Sequence, residues 1–165
     1  MRISHSRIPF GNPGIARTVQ AMRGLAHQAL EYEVFHQWAG LAAGDSCCAP
    51  GAIDGIRSFL VGNVVFEPDP EGVELIRDPL YMLGRIESLG IAEGDCDDVA
   101  TLGAALGLAN ELPAQFRLLS FAADGVYSHV FAELWNGEAW QELDTTRPAL
   151  LPEGLRITAE ETVEV

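Results

Sequence analysis

Asn136-Gly137 lies between two strand-like runs, Ser128–Trp135 and Glu138–Asp144, and this pairing restricts the second half of the chain more than any other feature. Asn-Gly is the strongest short hairpin signal, because a type I′ turn needs positive φ at both central residues. A two-residue loop sets Trp135 opposite Glu138, and the same register sets His129 directly opposite Asp144, with Cβ atoms about 4.5–5.5 Å apart. The other face then carries Val130, Ala132, Leu134 and Leu143, which suits burial. A slip of one residue would send His129 and Asp144 to opposite faces. An imidazole held against a carboxylate has its tautomer and orientation fixed by that partner. Glu133 and Trp140 fall on the His129 side, as cleft lining or, for Trp140, as packing.

A helix start precedes this hairpin in Gly94-Asp95-Cys96-Asp97-Asp98. Asp95 is a good N-cap, and Asp98 is a short-armed partner for a capping box. Val99, Leu102, Ala105, Leu106 and Ala109 recur at helical spacing, while Asn110 and Pro113 end the run. Gln115–Phe121 reads as a strand followed by a turn at Asp124-Gly125. Cys96 therefore takes the first helical position, where unpaired backbone N–H groups favour a thiolate. Singly, a free Cys is a small buried hydrophobe, a strand His is structural and an Asp ending a strand is a turn residue. Together the three meet the roles of nucleophile, base and orienting group. Asp95, Asp97 and Asp98 oppose a thiolate. If they point to solvent their repulsion is screened, and a thiolate–imidazolium pair is the expectation.

Residues 1–14 read as an arm rich in turn formers, and residues 15–165 as one domain. Its helical part is 15–60, its core about 61–148 and its β-prone acidic tail 149–165. Ile15–Leu41 is helical, with Gly24 and Glu31–Phe35 allowing a break, and its His27 and His36 are structural. A short helix over Ile53–Leu60, a strand over Val64–Phe66 and a helix from Asp78-Pro79 to about Arg85 follow. The class is α+β: helices first, then an antiparallel sheet on the helix carrying Cys96.

A chain of 165 residues that is 48% hydrophobic can bury a core without disulfide or metal. Three cysteines, with Cys47-Cys48 as an incidental loop pair, fit a reducing compartment. The net charge of −14 argues against nucleic acid as a partner. No apolar run is long enough to span a membrane, and Arg7, Pro9, Asn12 and Pro13 interrupt any signal-peptide core. The acids of Glu67–Glu74 have no calcium-loop spacing and read as a solvated loop, so no metal is expected. All ten basic residues are Arg.

Gly-Asp-Cys-Asp-Asp with its Ala/Leu-rich helix, then "ELPAQFRLL", "YSHVFAEL" and "EAWQELDTTRP", resembles the transglutaminase-like domain, a branch of the papain-like cysteine proteinase fold. "GIARTVQAMRGL" and "FEPDPEGVELIRDP" are similar to compact bacteriophage or prophage versions. The resemblance implies Cys96 as nucleophile, His129 as general base and Asp144 as third member, acting without cofactor on a peptide or protein amide. Hydrolysis and transfer to an amine share the same first half. A catalytically silent domain that assembles with phage head or tail proteins is the alternative. The expected location is the bacterial cytoplasm or the virion. The family's upstream Gln or Trp oxyanion donor has no counterpart between Pro50 and Asp95; Asn63 and Tyr81 are the substitutes on offer.

Overall fold

The computed structural model describes residues 12–46, 48–70, 73–146 and 156–165. The arm up to residue 11, Cys47 and residues 147–155 of the expected core end and tail lie outside them. The class is α+β as expected: five helices come first, then a four-stranded antiparallel sheet packed on the helix that begins with Cys96.

The helices are α1 (Asn12–Ala29), α2 (Glu33–Ala43), α3 (Ala49–Asn63), α4 (Pro79–Leu89) and α5 (Cys96–Ala109). The helical stretch Ile15–Leu41 is broken at Leu30–Tyr32, overlapping the Glu31–Phe35 segment expected to allow a break, and helix begins at Asn12, inside the expected arm. His36 secures the break, its Nε2 lying 2.9 Å from the Leu30 carbonyl oxygen. The short helix expected at Ile53–Leu60 is a fifteen-residue one, with Pro50 in its first turn where a missing N–H costs nothing. Asp78 caps α4 by accepting the Leu80 N–H at 2.7 Å, and Gly90 ends it in the left-handed conformation at φ 83°.

The core is built around α5, whose residues Val99–Gly107 are all buried. A helix apolar all round belongs in the interior. One side packs on the sheet, the other on α1, α2 and α3. Two glycines permit this closeness. A Cβ on Gly107 would lie 2.2 Å from Leu134 Cδ2, and one on Gly55 only 2.5 Å from the Ala43 carbonyl oxygen. Asn110 ties the end of α5 to α2, donating to the carbonyls of Ala39 and Leu106.

The sheet has the order β5 (Trp140–Glu142), β4 (His129–Trp135), β3 (Ala114–Ser120), β6 (Ala159–Glu164). The segment expected as a tail thus supplies an edge strand, pairing Ser120 with Ala159 through Gln115 with Glu164. A separate parallel pair, β1 (Val64–Phe66) with β2 (Ala92–Gly94), sets Phe66 beside Gly94 at the entrance to α5.

The hairpin register differs from the expected one. Trp135 pairs with Trp140, not Glu138, so the ladder is displaced by two residues. Asn136 is the cause: its Oδ1 accepts both the Glu138 and Ala139 N–H at 2.8 Å, and its own N–H reaches the Ala139 carbonyl at 3.1 Å. Residues that would have continued the ladder are thereby turned into the loop. His129 and Asp144 are not direct cross-strand partners, and Asp144 lies beyond β5. A displacement of two keeps every side chain on its face, since strand side chains alternate with period two. No helix among the described residues is long and apolar enough to cross a membrane.

Candidate active site

The site begins at the first turn of α5. Asp98 there is fully buried and acts as the hub. It accepts the Asp95 N–H at 3.1 Å, the Arg77 N–H at 2.5 Å and the Arg77 guanidinium. Its bond to Asp95 is the capping-box half expected from the sequence. Its bonds to Arg77 fasten the segment before α4 across the start of the helix. Asp69 joins this clasp, 3.5 Å from Arg77 Nη1 and accepting the Leu75 N–H. Glu74 lies 3.5 Å from the Thr18 hydroxyl of α1.

The stretch expected to be a solvated loop therefore lends Asp69 and Glu74 to the helix start, and Arg77 joins them from just beyond it. Sequence reasoning missed them. The available signal was the surplus of acid at Asp95–Asp98, which needs a cation once buried; Arg77 lies one residue before the Asp78-Pro79 cap.

The acid does not point to solvent. Asp97 is only 4% exposed, and Oδ1 of both Asp95 and Asp97 is buried without a hydrogen-bond partner among the described residues. Burial drives the Asp97 carboxyl well above the usual range, helped by hydrogen bonding to Asp95 and by the charges around it. Burial also raises Asp69 and Glu74, and pushes Asp98 up to about 6 against the pull of the Arg77 N–H and guanidinium.

Cys96 occupies the first position of α5, as expected. Its thiol is pushed far up, first by burial, then by the charges of Asp95 and Asp97, with Glu74 adding to them. The Val130 N–H, donating to the sulfur, works in the opposite direction. The expected thiolate–imidazolium pair is thus corrected: this site favours the neutral thiol. The helix N-terminus is outweighed first by burial of the sulfur and then by the carboxylates packed beside it.

The Val130 contact brings β4 to Cys96, and His129 is the preceding residue. His129 is 3% exposed, and its Nε2 lies 2.7 Å from Asp144 Oδ2. Asp144 Oδ1 accepts the Thr146 N–H at 3.1 Å and its hydroxyl at 3.2 Å. The other imidazole nitrogen, Nδ1, is buried with no hydrogen-bond partner among the described residues. A ring with Nε2 bound to a carboxylate carries its proton there, which leaves Nδ1 as an acceptor.

The structure thus joins His129 to Asp144 and brings Cys96 against the residue next to His129. Asn63 and Tyr81 are not drawn into the cluster by any contact among the described residues. Asn63 donates to the Phe59 carbonyl at 2.8 Å, and the β1–β2 register sets Phe66, not Asn63, beside Gly94. Tyr81 is exposed on the first turn of α4. Of the two His-face residues, Glu133 is buried and bonded to Gln115 and Arg117, while Trp140 stacks edge-on against Trp135.

One consequence concerns stability and pH. Carboxyls raised in the fold bind protons more readily there than in the unfolded chain. Their contribution is present at low pH and is lost as pH rises through the folded values, about 6 for Asp98. The melting temperature should therefore climb as pH falls from about 8 to about 5, the reverse of the pattern for ion-paired acids. A melting temperature that drops over that interval would contradict this.

No protein-family model matches the sequence, and no curated protein does. The fold is similar to a solved structure from Parabacteroides distasonis ATCC 8503 called a "putative protease", with a TM-score of 0.61 and 15% identity. The match covers 89% of this chain and 29% of that one, so this chain spans under a third of the length of its structural relative. At this identity the likeness is one of fold: the arrangement of helices and sheet described above occurs also within that protein.

Proposed function

We propose that the protein carries out cysteine-dependent acyl chemistry on an amide, as a peptidase or amidase of transglutaminase-like type. The observation that carries the reading is the His129 ring, pinned through Nε2 to the fully buried side chain of Asp144, with Nδ1 unbonded among the described residues and next in the strand to Val130, whose N–H meets the Cys96 sulfur. In this reading Nδ1 takes the thiol proton as the sulfur attacks the amide carbonyl. The Cys96 N–H, in the first helical turn where no intrahelical acceptor exists for it, serves the developing oxyanion. Imidazolium returns its proton to the departing amine, and the thioester passes its acyl group to water or to a second amine. A neutral resting thiol suits a mechanism in which proton transfer accompanies attack. Similarity of fold to a protein called a protease supports the peptidase side.

The test is incubation with a mixed peptide library, following free ammonia and new amino termini separately. Turnover lost in both Cys96→Ser and His129→Ala supports the reading; turnover surviving either change overturns it.

The burial of the Cys96 thiol among carboxylates supports a second reading, a domain without turnover, for which the sequence resemblance suggests phage head or tail proteins as partners. Its mark would be co-purification with such proteins, with no product formed and no rate difference between Cys96 and Cys48 toward an electrophile.

A further inference from the structure

We propose that Thr146 is a positioning residue for this reaction, its hydroxyl fixing the rotation of the Asp144 carboxylate so that Oδ2 is held against His129. The inference rests on the acyl-transfer reading above and adds a residue to it.

Asp144 lies beyond Glu142, the last residue of β5, so the paired strand does not itself hold the carboxylate in place. Leu143 still donates to the Ala132 carbonyl at 2.8 Å, which fixes the backbone one residue earlier. The direction of the carboxylate is then set by the groups its oxygens bind, Thr146 among them. Its two oxygens have divided roles: Oδ2 meets His129 Nε2 at 2.7 Å, while Oδ1 takes two donors from Thr146. The backbone donor belongs to the tight turn that an Asp makes with the residue two positions on, and any residue but Pro could supply it. The hydroxyl donor is available from Thr or Ser alone. It is buried with the residue, at 4% exposure, beside a carboxyl side chain with no exposure at all. A planar carboxylate bound at Oδ1 by two donors cannot rotate without breaking both. That fixes the direction of Oδ2, hence the ring plane of His129 and the nitrogen that keeps the proton.

A hydroxyl that merely stabilised the turn would affect melting and nothing else. Thr146→Val preserves shape and removes the donor, Thr146→Ser restores the donor, and Thr146→Ala supplies a second hydroxyl-free variant should Val not fold. Two readouts apply to each: kcat and KM for amide cleavage, and ¹⁵N shifts of the His129 ring. Loss of the hydroxyl should lower kcat roughly tenfold with KM unchanged, the pattern of a group acting on the transition state, and Ser should recover most of it. The ring should show Nε2–H alone in the wild type and in Thr146→Ser, and a mixture of tautomers in the hydroxyl-free variants. A folded hydroxyl-free variant with wild-type kcat and a wild-type ring spectrum overturns the proposal. If the wild type cleaves no amide, the acyl-transfer reading fails, and the ring spectra alone decide whether Thr146 orders the His129–Asp144 pair.

Discussion

Exchanging Asp95 for Asn should speed alkylation of Cys96 by iodoacetamide about tenfold near neutral pH. After burial, the charge of Asp95 is the largest influence holding the thiol up. Asn serves as well as Asp at a helix N-cap, so the substitution removes charge while keeping the start of α5. An adjacent charge shifts a partner's pKa by about 1–3 units, and the thiolate fraction rises in step. Part of that gain is lost because a less basic thiolate is a weaker nucleophile, with a Brønsted slope of about 0.4–0.5. Burial is untouched, so the thiol still titrates above its ordinary value. Asp54→Asn, which alters an exposed carboxylate on α3, is the control. An Asp95→Asn protein that reacts no faster than this control would show that the acid around the sulfur does not govern its ionisation.

Removing the hub of the clasp should have the largest effect on the fold. Asp98→Ala leaves the Arg77 guanidinium and two backbone N–H groups without their acceptor at a fully buried position. Breaking a buried pair from one side costs about 3–5 kcal/mol; because Arg77 keeps some exposure and Asp69 as a second partner, the lower end, about 3 kcal/mol, is expected in urea unfolding. Loss of the clasp should also release the segment from Leu75 to Arg77, read as faster amide exchange there than in α2. A variant within about 0.5 kcal/mol of wild type would mean that these contacts are replaced by solvent at no cost.

The sequence made the position of the candidate site legible, but not its surroundings. Cys96 at a helix start, His129 and Asp144 were readable because capping residues, helical spacing and strand alternation are local, and each has a physical cause within a few residues. The hairpin shows how a wrong detail can leave the outcome intact. Asn136 used its side chain to widen the loop, yet the shift by an even number kept the imidazole and carboxylate on one side of the sheet. Tertiary information was what the sequence hid. Nothing local tells that Asp69 and Arg77 gather at the start of α5, since that depends on β1 pairing in parallel with β2. The state of the thiol was misjudged for the same reason: solvated aspartates and packed aspartates have one spelling. Ala159–Glu164 looked like a tail because three of its six residues are Glu, and only the partner strand β3 gives it an address.

That late-arriving edge has a kinetic consequence. Strand β3 meets β4 across a short connection, Leu119 to His129, but it meets β6 only when Ser120 finds Ala159. Closing the longer loop costs more chain entropy, though the cost grows only logarithmically, so the β3–β4 hairpin should assemble before β6 docks. In the interval the outer rim of β3, Ala114-Gln115-Phe116-Arg117-Leu118-Leu119-Ser120, is an open template for any other extended chain. Arg117 is the single charge in that rim. In the completed sheet its guanidinium bridges the strands on either side, donating to Glu133 of β4 at 2.9 Å and to Glu160 of β6 at 3.0 Å.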